Sequence, residues 1–532
     1  MNFMQKRTFM NPSSGKVYLI GAGPGDPGLI TVKGLSCIQN ADVVVYDYLA
    51  APSLLAAASP HAEIIYVGKK GGDHTLSQDK INLLIAEKAR SGKTVARLKG
   101  GDPFIFGRGG EEAEVLIREG VAFEIVPGVT SAIAAPAYAG IPLTHREFTS
   151  TLALVTGHED PDKNASSINW ACLAAGVGTL VFLMGVKNLP QIVHQLVLHG
   201  KSSQTPVALV QWGTTARQRT VTGTLETIVE RVTAAKLSSP AIIVVGEVVT
   251  LREKLKWFET RPLFGKTVVV TRAREQASDL VKALSDFGAN CLEFPTIDVG
   301  PPDNWSALDA ALDCLSSYNW VVFTSVNGVK YFFERLFAKG LDVRALGHIR
   351  TAAIGPVTAQ HLMRFGLKSD IIPESYRAES VVDAFKAESI KGNKILLPRA
   401  KEARPVLPIE LSKMGAVVDE VTVYCTRRVH GHADALIQLL EDRQVDLVTF
   451  TSSSTVRNFM ALLPTDRAGQ LLKGVTLASI GPITTATAME LGLEIQIAAQ
   501  TYTIPGLCQA ILEFYGMENS QADGQKRLKD ED

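Results

Sequence analysis

The chain is 532 residues long, 46% hydrophobic, and balanced at 54 basic and 54 acidic residues. That length asks for about three or four domains, and that apolar content supports large cores. Zero net charge points away from nucleic acid and from anionic membrane as partners. No run approaches the ~20 apolar residues of a membrane span. Met1 to Ser14 lacks an apolar stretch, so it does not read as a secretory signal. Cys37, Cys172, Cys291, Cys314, Cys425 and Cys508 form no CxxC pair and no metal spacing. They read as buried, reduced thiols of a cytoplasmic protein, and no metal is expected.

Apolar strands alternate with amphipathic helices almost throughout, the α/β pattern. Val17-Tyr-Leu-Ile reads as a buried strand and runs into Gly21-Ala-Gly23-Pro24-Gly25-Asp26. Ser77 to Arg90 reads as a helix: Ser77 can cap it, Ile81, Leu84 and Ile85 recur at helical spacing, and Gly92 stops it. Val95-Ala-Arg-Leu then returns as a strand into Gly100-Gly101-Asp102-Pro103. Thr151–Thr156, Thr179–Leu183, Val207–Val210 and Ala241–Val245 are further strands, and a module boundary falls within Leu251–Lys266. Beyond it, Val268-Val-Val-Thr-Arg272 matches Ile395-Leu-Leu-Pro-Arg399. Val321-Val-Phe-Thr-Ser325 matches Leu447-Val-Thr-Phe-Thr-Ser, and Ala352-Ala-Ile-Gly-Pro matches Ala478-Ser-Ile-Gly-Pro. The mates lie about 126 residues apart. A period this long implies two similar α/β domains, with matched loops facing a shared cleft, rather than a solenoid. The polar tail reads as disordered.

Glycine after a strand lets backbone approach a ligand, so the first loops suggest a cleft for a small polar molecule. A dinucleotide fingerprint, however, needs a third glycine where Asp26 stands, with Pro24 inside the turn. That excludes the nearest guess, even though Asp47 mimics the ribose acid.

Six segments come in order: Gly21 to Asp26, Ala41 to Asp47, Val67-Gly-Lys69, Leu98 to Glu112, Val126 to Ser131, and Gly140 to Arg146. Together they resemble uroporphyrinogen-III C-methyltransferases of the tetrapyrrole methylase family, over residues 15–250. The resemblance implies a two-lobed tetrapyrrole methylase fold, with lobes of about 15–128 and 129–250. It implies S-adenosyl-L-methionine as methyl donor, bound by Pro24, Gly100, Gly101, Asp102, Ile105, Thr130, Ser131, Met184, Gly213 and Ala241. Asp47 and Lys69 match acid/base positions of the family. Arg108 and Glu111 are further catalytic candidates, and Arg146 suits the carboxylates of a tetrapyrrole.

After a linker at 251–265, residues 266–515 resemble uroporphyrinogen-III synthase, through Val268-Val-Val-Thr-Arg-Ala, Phe323-Thr-Ser, Val421-Thr-Val-Tyr424 and Ile480-Gly-Pro-Ile-Thr484. That implies a pair of HemD-type α/β domains joined by a two-stranded linker. One would hold 266–297 plus 428–515 and the other 299–424, with 516–532 a disordered tail. Tyr424 matches a tyrosine that helps a hydroxyl depart. Arg272, Ser325, Thr358, Arg399, Ser453 and Thr484 are substrate-contact candidates, because hydroxyls and free N–H groups at helix starts suit anions.

The two resemblances imply a cytoplasmic, bifunctional enzyme of tetrapyrrole biosynthesis. Its second half would close hydroxymethylbilane to uroporphyrinogen III, and its first would dimethylate that product to precorrin-2 for sirohaem or cobalamin. A homodimer through the methyltransferase half is the expected assembly. The alternative is an active methyltransferase whose second half only binds tetrapyrrole.

Overall fold

The structure is a computed structural model that describes residues 15–68, 76–158, 167–272, 274–295, 297–374, 378–401, 403, 405–428 and 433–529. The chain forms two compact units. One runs to Thr267 and takes in Leu284–Asn290 and the chain from Tyr515; the other holds Val268–Ala283 and Cys291–Phe514.

The first unit has two lobes, each built on its own sheet. In the first lobe, β1 (Lys16–Gly21), β2 (Val43–Tyr46), β3 (Glu63–Tyr66), β4 (Val95–Lys99) and β5 (Ala122–Val126) lie in the order β3-β2-β4-β1-β5. Every pair is parallel. The central strands are apolar on both faces because helices cover both, as parallel sheets require. The helix Gln78–Arg90 starts where the sequence places it. Ser77 caps it by accepting from the Lys80 N–H, and Ile81, Ile85, Ala86 and Ala89 are buried. Connections leave β1 and β4 in opposite directions along the sheet. This switch in direction falls at the carboxyl ends of neighbouring strands, where open α/β sheets make their ligand crevice.

The second lobe contains β6 (Leu152–Thr156), β7 (Thr179–Leu183), β8 (Pro206–Gln211), β9 (Arg219–Thr224) and β10 (Ala241–Val245), in the order β6-β7-β10-β8-β9. Only β6 and β7 run parallel. The sequence reading places four of these within one residue of their ends. It misses β9, a half-buried edge strand rich in threonine with little apolar signal. The alanine-rich helix Ser131–Tyr138 buries Ala132 and Ala135 against Val181, Ala208 and Val244.

The second unit carries ten strands in two sheets: β11 (Thr267–Val270), β12 (Asn290–Glu293), β13 (Ile297–Gly300), β14 (Trp320–Phe323), β15 (Arg350–Ala353), β16 (Lys394–Ala400), β17 (Val417–Arg428), β18 (Leu447–Phe450), β19 (Thr476–Ser479) and β20 (Ile497–Ala498). Their orders are β12-β11-β18-β19-β20 and β13-β17-β16-β14-β15. Repeat mates β11 and β16, β14 and β18, and β15 and β19 hold equivalent places. Neither sheet is one copy of the repeat, however. Each joins the first strands of one copy to the later strands of the other. The antiparallel pair β13–β17 links Ile297 to Arg428 and Gly300 to Cys425.

Two expectations are corrected. The helix Ile504–Lys529 continues through the tail expected to be disordered from residue 516. The cysteines are free, but only Cys425 and Cys508 are buried; Cys172 and Cys314 are exposed and Cys37 and Cys291 intermediate. Among the described residues, no helix is long and apolar enough to cross a membrane.

Backbone contact sets how two glycines respond to substitution. A Cβ on Gly21 would lie 2.4 Å from Gly128 Cα, whereas one on Gly110, inside the helix Gly109–Arg118, meets nothing within 4 Å. Gly21→Ala should therefore cost about 3 kcal/mol, since backbone cannot yield as a side chain does. Gly110→Ala should add about 0.5 kcal/mol through lost unfolded-state entropy. Thermal denaturation of the two variants checks this, and equal melting temperatures would refute it.

Candidate functional site

At the carboxyl end of the first sheet the two glycine loops pair through their backbones. The Gly101 N–H donates to Gly23 O at 2.7 Å, and the Gly23 N–H donates to Gly101 O at 3.2 Å. Gly101 holds φ +72° and Gly23 φ +78°, conformations that glycine adopts without strain. Gly128 completes the contact, because a Cβ there would meet Gly101 O at 2.4 Å. Asp102 ties the loops together: one carboxylate oxygen accepts from the Gly128 N–H at 2.9 Å, the other from the Phe104 N–H at 2.8 Å. Thr130 caps the helix Ser131–Tyr138 beside them and is buried. Pro24, Gly100, Gly101, Asp102, Thr130 and Ser131 thus gather around one crevice, and Ile105 is 38% exposed on its rim.

The second lobe contributes one end of its sheet, at its three inner strands. Met184 follows the end of β7, Ala241 begins β10 opposite Gln211, and Gly213 lies just past the end of β8. Register alone brings these three candidates to one end. Seven described non-glycine residues have positive φ, and five of them lie on these loops: Phe106, Arg108, Met184, Trp212 and Thr214. Thr214, β-branched at φ +70°, is an outlier for its residue type. Strain of this kind concentrates at functional sites. Met184 is also 50% exposed, an apolar side chain held out at a strand end.

Asp26, which removes the dinucleotide reading, joins the lobes. Its carboxylate accepts from the Tyr138 hydroxyl at 2.7 Å and from the Gly28 N–H at 2.7 Å. Its own N–H donates to Thr214 Oγ1 at 3.1 Å. Burial, and then the Asp26 carboxylate, push the Tyr138 hydroxyl above its usual range. Tyr48 and Trp212 meet edge to face at 5.8 Å, with the Arg217 guanidinium 4.4 Å above the Trp212 ring.

Asp47 follows β2, and its loop rests on the Gly100 backbone, where a Cβ would meet Leu49 Cβ at 2.5 Å. Its carboxylate accepts from Arg97 at 3.1 Å and from the Leu49 N–H at 3.1 Å. Behind it lies a buried charge cluster that sequence reading misses. Arg97 and Lys99 share one face of β4 and both reach Glu112, at 3.4 and 2.6 Å. Glu112 is fully buried. Burial, and then the Arg97 charge, lower Lys99 against the pull of Glu112. The available signal was two cations, two residues apart, in a strand covered on both faces. Arg108 and Glu111 instead form an exposed pair with bonds of 2.9 and 2.6 Å, which holds the Glu111 carboxyl below its usual range. Arg146 is exposed in the turn closed by His145 and Thr149. Lys69 lies outside the described residues. No three His, Cys, Asp or Glu side chains among the described residues gather as metal ligands.

In the second unit, the Tyr424 and Ser325 hydroxyls meet at 3.0 Å, and Ser325 caps the helix Val326–Ala338 by accepting from the Gly328 N–H. Tyr331 stacks on Tyr424 at 6.1 Å and donates to Val299 O in β13. Arg399 is the penultimate residue of β16, one before Ala400, which registers with Tyr424. Burial lowers both Arg399 and its mate Arg272. The cap equivalent to Ser325 is Ser452, while Ser453 accepts from Thr487 at 2.8 Å and reaches Ile483 O. Thr358 and Thr484 are buried in the first turns of their helices.

A two-lobed α/β unit with its strained loops at the lobe junction, followed by a pair of strand-exchanged α/β domains, defines a two-part protein. Residues 16–229 match the Tetrapyrrole (Corrin/Porphyrin) Methylases, and residues 278–509 match Uroporphyrinogen-III synthase HemD. Porphyrin biosynthesis protein HemD of Ruminiclostridium josui is 38% identical over 502 residues, covering 94% of this chain and 98% of that protein. Uroporphyrinogen-III C-methyltransferase of Priestia megaterium is 59% identical over 235 residues, 44% of this chain and 98% of that protein. Among solved structures, uroporphyrin-III C-methyl transferase from Thermus thermophilus complexed with S-adenyl homocysteine shares 40% identity. It covers 44% of this chain and 100% of that chain, at a TM-score of 0.39. The chain belongs to the tetrapyrrole methylase family through its first half and to the HemD synthase family through its second.

The Asp26–Tyr138 bond across the lobes should be measurable. Tyr138→Phe should cost about 1 kcal/mol, the net value of one hydrogen bond, and Asp26→Ala about 2 kcal/mol because it also strands the Tyr138 hydroxyl and the Gly28 N–H. Thermal denaturation of both variants checks the order, which would be refuted if Tyr138→Phe were the more damaging.

Proposed function

We propose that the chain is a bifunctional enzyme of tetrapyrrole biosynthesis. Its second half cyclises hydroxymethylbilane to uroporphyrinogen III, inverting ring D and releasing water. Its first half then transfers two methyl groups from S-adenosyl-L-methionine to C2 and C7, giving precorrin-2 for the sirohaem or cobalamin branch. The observation that carries this reading is the fusion itself, two families of consecutive chemistry in one polypeptide, supported by the match to porphyrin biosynthesis protein HemD of R. josui over 98% of that protein's length.

The residues of the first crevice fit the methyl donor. Its walls mix glycine backbone, the Thr130 and Ser131 hydroxyls, and the half-exposed Ile105 and Met184. Such a mix suits a molecule with a flat base, a polar sugar and a zwitterionic end. The donor, when bound, supplies an electrophilic sulfonium methyl that an electron-rich pyrrole carbon attacks directly. The protein then has three tasks: to orient the macrocycle, to accept the displaced ring proton, and to meet the substrate carboxylates. Asp47, held at both oxygens, is the base in this reading, and Arg146 and Arg108 meet carboxylates. In the second half the Ser325–Tyr424 pair orients a phenol to assist departure of the hydroxyl. Arg272 and Arg399 favour the substrate's acid side chains. We place the enzyme in the cytoplasm, without a metal, as a homodimer through its first half.

The test supplies hydroxymethylbilane with and without S-adenosyl-L-methionine. Uroporphyrinogen III alone, and then precorrin-2, are the expected products. The type I isomer at the uncatalysed rate would leave the second half a binding module, and no methylation of supplied uroporphyrinogen III would remove the transferase. Asp102→Ala, which frees the Gly128 N–H, should weaken S-adenosylhomocysteine binding by about tenfold. It should leave cyclisation intact. Tyr424→Phe should do the reverse, slowing cyclisation about tenfold while sparing methylation of supplied product.

A further inference from the structure

The charges around Asp47 are arranged as a chain that runs inward from the crevice. Asp47, a quarter exposed, accepts from Arg97 NH2 at 3.1 Å, while Arg97 NH1 donates to Leu98 O at 2.7 Å. Arg97 Nε reaches Glu112 Oε1 at 3.4 Å, and Lys99 Nζ reaches the same oxygen at 2.6 Å. Gln78 Nε2 donates to that oxygen at 3.0 Å and to Asn82 Oδ1 at 2.8 Å. The other Glu112 oxygen is buried with no partner among the described residues. Two cations and one carboxylate are thus almost wholly withdrawn from water, and of the four charged groups Asp47 is the partly wet one.

Burying such a group is a poor way to stabilise a lobe. Apolar residues of similar volume usually serve as well or better, and an unmet buried oxygen adds cost. The cluster is also local. Elsewhere the faces of β1, β2 and β4 are lined by Val17, Leu19, Val43, Val45 and Val95. On this face of β4 charge begins at Arg97, mid-strand, and continues to Lys99 at the carboxyl end, next to the Asp47 loop and the Gly100 loop.

We propose that Arg97, Lys99 and Glu112 are positioning residues for methyl transfer, a buried network that holds the Asp47 carboxylate in one orientation to take the ring proton. The proposal rests on the reading of Asp47 as base. Arg97 supplies the fixed charge and a planar fork that grips two partners at once. Glu112 fixes that fork from the inner side. Lys99 balances the second negative charge, so that Arg97 is not drawn away from Asp47. Among the described residues Arg97 is bonded to Asp47 and Lys99 lies close enough to feel its charge, while Glu112 from the helix Gly109–Arg118 and the neutral Gln78 from the helix Gln78–Arg90 close the inner end of the network.

The experiment uses the full chain and follows kcat and KM for methylation of supplied uroporphyrinogen III. Cyclisation by the second half and S-adenosylhomocysteine binding report folding. Arg97→Gln should lower kcat about tenfold while leaving KM and S-adenosylhomocysteine affinity within about twofold. Arg97→Lys should recover only part of kcat, since it keeps charge but not the fork. Should Arg97→Gln not fold, the charge-balanced pair Arg97→Gln with Glu112→Gln keeps shape and net charge and should show the same loss of kcat. A folded Arg97→Gln variant with undiminished kcat overturns the positioning role, as does full rescue of Arg97→Gln by the second change. The base reading fails separately: Asp47→Asn with undiminished kcat overturns it. An inactive Asp47→Asn beside an undiminished Arg97→Gln kcat overturns only the network.

Discussion

The first half depends on a contact in which side chains take no part. Gly23 and Gly101 exchange backbone hydrogen bonds, and Gly21 and Gly128 lie too close for any Cβ between them. That approach fixes the carboxyl ends of β1, β4 and β5 relative to one another. Other features follow from it. Asp102 can span to the Gly128 N–H, Gly100 can support the Asp47 loop at Leu49, and Asp26 is delivered to Tyr138 and Thr214 of the other lobe.

Order at the crevice is costly, and the cost is concentrated there. Five of seven described non-glycine positive-φ residues sit on its loops, and the first lobe's buried ions sit directly beneath one of them. A sheet otherwise lined by Val, Leu and Ile has no structural need for either. Both make sense as fixed geometry around a reacting group, because a preorganised site need not rearrange during the reaction.

The second unit shows how a sequence repeat and a structural domain can differ. The mates Val268 and Ile395, Val321 and Leu447, and Ala352 and Ala478 are aligned correctly by pattern, since each begins an apolar strand before a small-residue loop. Yet β11 pairs with β18, and β16 pairs with β14, so each sheet draws on both copies. The pattern records which strands are alike. It contains no information on which copy supplies the neighbour, because either partner would bury the same apolar face.

The sequence by itself determined the α/β class, most strands, the Ser77 cap and the two glycine loops, because those follow from local periodicity and from the conformational freedom of single residues. It also marked Asp26 as incompatible with a dinucleotide turn. Only the tertiary structure gave Asp26 its positive role, since Tyr138 lies 112 residues away. Only it showed that Arg108 and Glu111 pair with each other while Asp47 is held by Arg97. It also placed Thr358 and Thr484, two substrate-contact candidates, in buried positions of their helices' first turns. Partner choice among charges and hydroxyls depends on distances between segments far apart in the chain, and no local pattern encodes those distances. Periodicity decides what a segment becomes; packing decides which side chains at its ends meet.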